Sequence, residues 1–196
     1  MKDIIKLSLI LGIFCIASAF SLAGVNKITR PRIEMERKRV IEEALEHVLP
    51  GAKIITENKT TDEKTYYLGY ADEDTTQSPK GFSFIASGQG YSSRIQTMVG
   101  VNNKGTIEAI EILFQQETPG LGAKSTEIRP GEEKPWFQKQ FAGKFAADIK
   151  VDKDGGEIVS ITGATITSRA VANSIQKGIE WLSDYVKFEK EKTINE

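Results

Sequence analysis

The sequence predicts an α+β domain that follows a single N-terminal transmembrane helix, with a mainly antiparallel sheet and flanking helices. Three observations predict it: an apolar run near the N-terminus, a series of short β-like runs in the middle, and helical stripes on either side of those runs. The formal net charge of −1 gives no electrostatic reason to expect a nucleic-acid partner.

The first element is a run of nineteen residues without a charge, residues 7–25 (LSLILGIFCIASAFSLAGV). As a helix it would be about 28 Å long, which is enough to cross a bilayer. A cleaved signal peptide is the alternative, because Lys2 and Lys6 precede the run and ASA at 17–19 has the form of a cleavage site. We favour an uncleaved anchor, because the run is long for a signal peptide and continues past Ala19.

We therefore assign residues 1–30 to a cytoplasmic stub and anchor, and residues 31–196 to one folded domain. Pro31 is expected to separate the two. Basic residues lie on both sides of the apolar run and favour neither orientation clearly, but a short stub before a large domain is typical of a signal-anchor that leaves its domain outside.

The supply of metal-binding side chains is small. Cys15, the only cysteine, lies inside the apolar run, which excludes disulfides and iron–sulfur ligation from the folded domain. His47, the only histidine, lies in a predicted helix and is interpreted as a surface residue. We expect no metal site.

The folded domain begins with a predicted helix from Ile33 to Leu49, which Pro50-Gly51 ends. Its charges (EMERKRVIEE, 34–43) are interpreted as a solvated face, with lipid headgroup contact as an alternative. Five predicted strands follow: KIIT at Lys53, TYYLGYA at Thr65, GFSFIA at Gly81, RIQTMVGV at Arg94 and TIEAIEILF at Thr106. A polar loop is predicted at 74–81 and a hairpin turn at 102–105 (NNKG).

The last predicted elements are a strand at 157–161 (EIVSI) and an amphipathic helix with its apolar stripe from Ala170 to Leu182. Between them lies SITGATITSRAV, which has four hydroxyl side chains within residues 162–168. Helix capping by Thr167 or Ser168 would explain two of them. Anion binding at the helix start is the functional interpretation, and a hydroxyl nucleophile is the third, although no histidine base is near in sequence.

A second segment of interest is QETPGLGAK, residues 116–124, directly after the last sheet strand. Pro119 and Gly120 suit the centre of a type II turn. Gly120 and Gly122 leave the backbone exposed on either side of Leu121, so a flat ligand could approach closely.

The two segments together resemble the G subunit of the Rnf electron-transport complex, and the soluble part is similar to the C subunit of the sodium-pumping NADH:quinone oxidoreductase. The resemblance implies covalent FMN, joined by a phosphoester bond to the threonine at Thr165, in the motif Thr162-Gly163-Ala164-Thr165. Thr167 and Ser168 are expected to donate to the phosphate oxygens, and Thr162 to form the turn.

The same resemblance implies that ETPGLG lines the isoalloxazine ring. Leu121 would be an apolar contact, Gly120 and Gly122 would place backbone near the ring edge, and Glu117 and Thr118 would be polar neighbours. The sequence departs from the family pattern at Val159, where the motif that the flavin transferase recognises usually has an aspartate. The nearby acids are Glu157 and Asp154, so either Glu157 takes the place of this aspartate after a local shift or the transferase tolerates its loss.

The function implied by the resemblance is electron transfer between ferredoxin and NAD, coupled to sodium or proton movement across the membrane. The implied partners are membrane subunits A, D and E, peripheral subunits B and C, and the flavin transferase, with the domain on the extracytoplasmic side. Two alternatives remain open: a non-redox anchored module that binds a phosphorylated ligand at the Thr165 turn, and a free-standing flavin reductase, although the sequence has no Gly-x-Gly-x-x-Gly nicotinamide site.

Overall fold

The structure, a computed structural model, describes residues 2–60, 62–72, 76 and 78–188. The chain divides into two compact units, Met1–Val40 and Ile41–Glu196. The helices are α1 (Lys2–Val48), α2 (Trp136–Lys139) and α3 (Thr165–Ser183), and the strands are β1 (Ile54–Lys59), β2 (Thr65–Tyr70), β3 (Gly81–Gln89), β4 (Arg94–Asn102) and β5 (Ile107–Phe114). Short 3-10 helices lie at Gly122–Thr126, Ala146–Asp148 and Asp152–Asp154.

The first unit is helical throughout its described residues, and α1 is long and apolar enough to cross a membrane, a test that a signal sequence also passes. Pro31 lies inside α1. The expectation that this proline separates the apolar run from the next helix is therefore wrong, because one continuous helix passes through Pro31. A proline costs a helix one hydrogen bond and about 3 kcal/mol, but helical φ and ψ remain accessible on both sides of it.

The second unit is built on a five-stranded antiparallel sheet in the order β1-β2-β3-β4-β5. Every neighbour in the sheet is also a neighbour in sequence, so the sheet is an antiparallel meander. At Gly105, in the turn between β4 and β5, φ is +82°, as the predicted hairpin requires. The five strands predicted from the sequence are confirmed, as is the α+β class.

Side chains alternate along a strand, so the sheet has two faces, and each face is covered by a different helix. One face packs under α3 and contains Phe82, Phe84, Val99 and Val101. The other contains Met98 and Tyr67, and it packs against the end of α1 from Ala44 to Val48 and against Leu49, which follows the helix. The sheet therefore places the start of α3 beside the loops at one end of β3, β4 and β5.

Two sequence predictions in this unit are not confirmed. The predicted strand at 157–161 is wrong: only an isolated bridge pairs Val151 with Ile158. A single bridge suffices because Asp152 and Gln140 hold the backbone of this segment through side-chain hydrogen bonds. The predicted loop at 74–81 lies partly outside the described residues.

Gly178 provides a test of how tightly α3 packs on the sheet. A Cβ at this position would overlap the ring of Phe84, which is itself buried. Alanine favours a helix over glycine by about 1 kcal/mol, but overpacking a core costs about 1–3 kcal/mol. We therefore expect Gly178→Ala to lower the free energy of unfolding, measured by urea denaturation of the full chain in detergent. Asn173→Ala, at an exposed position of the same helix, is the control and should be neutral or stabilising. A stabilised Gly178→Ala variant would contradict this packing.

Candidate functional site

The start of α3 and the loop after β5 face each other across a cleft of about 480 Å³, which we call the Thr165 cleft. Eight of the residues singled out in the sequence line it: Glu117, Thr118, Leu121, Gly122, Gly163, Ala164, Thr165 and Thr167. Tyr91 and Ile166 complete the lining and were not expected. Two segments about forty residues apart in sequence thus form the walls of one cleft.

The loop after β5 has the predicted turn. The N–H of Leu121 donates to the carbonyl of Thr118 over 3.1 Å, and φ at Gly120 is +76°. Gly163 on the opposite wall also has φ of +76°, and a Cβ there would lie 3.0 Å from Cδ2 of Leu121. The two segments therefore contact each other through Leu121.

The first turn of α3 has unpaired hydrogen-bonding groups. Ala164 is the N-cap and supplies no side-chain cap, so the expectation that Thr167 or Ser168 caps this helix is wrong. The backbone N–H groups of Thr165, Ile166 and Thr167 donate to no described residue, and neither does the half-buried hydroxyl of Thr165. The start of a helix with free N–H groups attracts anions.

Thr167 and Ser168 point into the protein. The Ser168 hydroxyl donates to the carbonyl of Ala164 over 3.0 Å and accepts the N–H of Ile161 over 2.9 Å. The Thr167 hydroxyl donates to Oε2 of Glu117 over 2.5 Å. Each hydroxyl thus donates its proton to a protein acceptor. Neither is free to donate to a phosphate in the cleft, which differs from what the resemblance implies.

Glu117 is the buried polar centre of the cleft wall, with 6% of its surface exposed. Its carboxylate accepts the backbone N–H groups of Tyr91, Ser92 and Ser93 over 2.9–3.1 Å, and the Ser93 hydroxyl over 3.0 Å. Together with Thr167, these donors belong to the β3–β4 turn and to α3. The expected role of Glu117 as a polar neighbour of a ligand ring is thus combined with a structural one.

The donors around Glu117 determine its charge. Burial alone would raise the pKa of this carboxyl group. The hydrogen bonds from Thr167 and from the backbone of Ser93, Ser92 and Tyr91 outweigh burial and hold the pKa below its usual value. Glu117 is therefore an anion at neutral pH.

Two glycines allow this arrangement. A Cβ at Gly90 would lie 2.6 Å from Oε1 of Glu117, and a Cβ at Gly122 would lie 2.6 Å from Oγ1 of Thr167. The contribution of the Gly90–Ser93 turn was missed in the sequence. Its glycine and two serines mark a tight turn, but nothing in their spacing indicates a carboxylate partner 24 residues away.

Thr162 and Lys124 lie in a neighbouring cleft of about 420 Å³ that shares no lining residue with the Thr165 cleft. Arg129 also lines it, with its guanidinium carbon 4.0 Å from the ring centroid of Trp136. Thr162 is exposed and its hydroxyl bonds no described residue, consistent with the turn position expected for it.

The segment before the turn is fixed by ion pairs and hydrogen bonds. Arg169 on α3 makes two contacts with Asp154, at 2.6 and 2.8 Å, and these hold the pKa of Asp154 below its usual value. Glu157 lies 2.6 Å from Lys144. Val159 is exposed, and its backbone is bonded on both sides by Gln140. Among the described residues, no group of three acidic, histidine or cysteine side chains could hold a metal ion.

The chain matches two protein families. The family described as the FMN-binding domain matches residues 90–180, a range that contains every lining residue of the Thr165 cleft. The family described as the RnfG N-terminal region matches residues 1–48, which is close to the extent of α1. The two matches thus correspond to the long N-terminal helix α1 and to the part of the domain that forms the cleft.

Three relatives are each the G subunit of an ion-translocating oxidoreductase complex. The protein of Vibrio cholerae serotype O1 (strain M66-2) is 30% identical over 191 residues, covering 92% of this chain and 90% of the relative. That of Shewanella piezotolerans is 29% identical, covering 94% and 92%. That of Methanosarcina acetivorans is 27% identical, covering 93% and 96%.

One solved structure shows the same fold. It is the C subunit of the Na⁺-translocating NADH-quinone reductase from Parabacteroides distasonis, which superposes with a TM-score of 0.52. Its sequence is 21% identical, and the match covers 82% of this chain and 98% of that one. This likeness extends over the antiparallel sheet and its helices.

The hydrogen bonds to Glu117 predict a pH-dependent contribution to stability. Glu117→Gln removes the charge but keeps the size, and we expect it to cost about 2–3 kcal/mol at pH 7, because the charged acceptor of several donors is lost. The folded-state pKa is below the unfolded value of about 4.3, so this contribution is complete above about pH 5 and disappears as the pH falls through the folded-state pKa.

Urea denaturation of the full chain in detergent between pH 3 and pH 7 tests this contribution. The difference between wild type and Glu117→Gln should shrink as the pH falls. Thr167→Val removes one donor but keeps the charge, so this matched variant should show a smaller loss at pH 7. A difference that stays constant between pH 7 and pH 3 would show that Glu117 is not a stabilising anion.

Proposed function

The chain belongs to the G-subunit family of ion-translocating oxidoreductase complexes, and from that premise we propose that it is the membrane-anchored flavoprotein subunit of an Rnf complex. Bound FMN supplies the electron-carrying chemistry. Residues 7–25 anchor the chain in the cell membrane, and residues 31–196 form the FMN-binding domain. The match of residues 90–180 to the FMN-binding domain family supports the choice of cofactor.

The attachment site in this proposal is the hydroxyl of Thr165. The observation that carries the proposal is that this hydroxyl is the one in the cluster that both lines the cleft and bonds no described residue. A phosphoester on its oxygen would place the remaining phosphate oxygens beside the free N–H groups of Thr165, Ile166 and Thr167. The donors for the phosphate are thus backbone groups, and Thr167 and Ser168 act indirectly by holding the helix start.

We propose that the flat part of the cofactor occupies the rest of the cleft. Its volume of about 480 Å³ lies within the range of about 300–1,000 Å³ that is usual for small-molecule sites. Three large apolar side chains line it while remaining largely exposed: Tyr91 (73%), Leu121 (43%) and Ile166 (51%). We propose that Leu121 contacts the ring, with the backbone of Gly120 and Gly122 at its edge and Thr118 as a polar neighbour.

Val159 lies where the motif that the flavin transferase recognises usually has an aspartate. Its side chain is 54% exposed and its backbone is bound by Gln140, so the segment is ordered without the usual aspartate. Glu157 is paired with Lys144, and Asp154 with Arg169. We propose that the transferase accepts Val159, because the turn from Thr162 to Thr165 is held by bonds that do not involve this side chain.

Within the complex, we propose that the protein relays electrons between ferredoxin and NAD, and that the complex couples this transfer to sodium or proton movement. The domain lies on the extracytoplasmic side, next to membrane subunits A, D and E, with B and C as peripheral partners. Fixing the domain beside the bilayer raises its effective concentration near these subunits.

A second function is consistent with the same site. A helix start with free N–H groups would also bind a phosphorylated ligand without covalent attachment, in a non-redox anchored module. The two proposals differ in whether the bound group survives unfolding.

Thr165→Ala is expected to abolish covalent flavin. The full chain is expressed in a host with a flavin transferase, and its intact mass and its flavin fluorescence in denaturing gels are measured. Wild type should gain one FMN less one water and fluoresce, because the ester bond survives unfolding. The variant should show neither, since the attacking oxygen is gone.

Thr162→Ala is the matched control and should keep the flavin, and Thr165→Ser should keep at least part of it. An unmodified wild-type mass would contradict the covalent proposal and favour the non-redox module. Flavin that persists in Thr165→Ala but disappears in Thr162→Ala would place the attachment at Thr162 instead.

A further inference from the structure

The helix α1 carries a cluster of basic residues directly after its apolar run. Between Lys27 and Arg39 there are six basic residues and two acidic ones, a net charge of +4. The basic residues are Lys27, Arg30, Arg32, Arg37, Lys38 and Arg39. Residues 1–40 carry eight basic and three acidic side chains, so residues 41–196 carry −6 of the total of −1. The excess of positive charge is therefore confined to residues 1–40.

Three of these residues lie at the depth of lipid headgroups, and we call Lys27, Arg30 and Arg32 the basic collar. At 1.5 Å per residue they lie about 3, 7.5 and 10.5 Å past Val25 along the helix. The polar zone of a bilayer extends about 5–8 Å beyond each side of the hydrocarbon core. Long basic side chains bend toward that zone, so all three cations reach the level of the phosphates.

The charges of the collar are available for a partner. Lys27 and Arg32 form no ion pair with any described residue. Arg30 lies 2.9 Å from Glu34, but the two side chains are 73% and 61% exposed, and such surface pairs contribute little. At 100° per residue, Arg30 and Arg32 lie about 300° and 140° around the helix from Lys27, so the collar surrounds the helix.

We propose that the basic collar binds the phosphate groups of anionic phospholipids around the membrane span. The inference rests on the proposed function only in that residues 7–25 cross the membrane. An orientation signal alone does not explain the collar, because Lys2 and Lys6 place basic charge at the other end of the span as well. The more distant cluster Arg37, Lys38 and Arg39 lies about 18–21 Å past Val25, beyond the Debye length of about 8–10 Å.

The test uses the full chain reconstituted in phosphatidylcholine vesicles with a trace of spin-labelled phosphatidylglycerol or phosphatidylcholine. Electron spin resonance gives the ratio of the two association constants for the lipid layer next to the protein. Wild type should prefer phosphatidylglycerol by about threefold or more, since each basic residue near the surface attracts anionic lipid. The preference should fall by at least half in Lys27→Gln/Arg30→Gln/Arg32→Gln, in which Lys2 and Lys6 remain, and should approach unity in wild type at 1 M NaCl.

The matched control is Arg37→Gln/Lys38→Gln/Arg39→Gln, which removes the same charge farther along the same helix and should keep the wild-type preference. Equal preference in wild type and the collar variant would overturn the proposal and leave the collar as a solvated surface. Equal losses in both triple variants would also overturn it, because net charge would then explain the preference.

Flotation with vesicles of phosphatidylcholine alone separates this inference from the proposed anchor. Wild type and both triple variants should float and resist extraction by alkaline carbonate. Release of wild type by carbonate would contradict the membrane span itself, and the collar proposal would fall with it. Retention of all three with no lipid preference would overturn the collar alone.

Discussion

The carboxylate of Glu117 is the group on which the geometry of the cleft depends. A buried anion is costly unless donors surround it, and this one accepts hydrogen bonds from the Tyr91–Ser93 turn and from Thr167. The turn belongs to the β3–β4 connection, the carboxylate to the loop after β5, and Thr167 to α3. Because this carboxylate accepts hydrogen bonds from the other two segments, it holds all three in one mutual arrangement.

That arrangement fixes the direction of the first turn of α3. Thr167 is held inward by Glu117 and Ser168 by the backbone of Ile161 and Ala164. Thr165 lies two residues before Thr167, which is about 200° around the helix, and it lines the cleft without a hydrogen bond to the carboxylate. Gly178, more than three turns later, lets the helix lie directly on Phe84. The position of the Thr165 hydroxyl therefore follows from contacts at both ends of α3.

The sequence was informative where structure is local and less so where it depends on distant partners. Alternating apolar residues located all five strands, and Gly105 marked the hairpin between β4 and β5. The apparent strand at 157–161 was wrong because Ile158 and Ile161 pack into the core without a strand neighbour, apart from the bridge at Ile158. At the site, the two segments could be located from their turn residues. The participation of Tyr91 and the inward direction of Thr167 could not, since both depend on a carboxylate far away in sequence.

Two separate sets of hydrogen-bond donors lie at the Thr165 cleft, so it could bind both the Glu117 carboxylate and a phosphate. Glu117 takes the N–H groups of the β3–β4 turn and the hydroxyls of Ser93 and Thr167. The backbone N–H groups at the start of α3 are left without a partner among the described residues. A phosphate esterified at Thr165 would therefore meet donors that the carboxylate does not use, and the lack of a side-chain cap at Ala164 keeps them free. A capping side chain at Ala164 would compete with the phosphate for these donors, so the uncapped helix start is itself part of the proposed site.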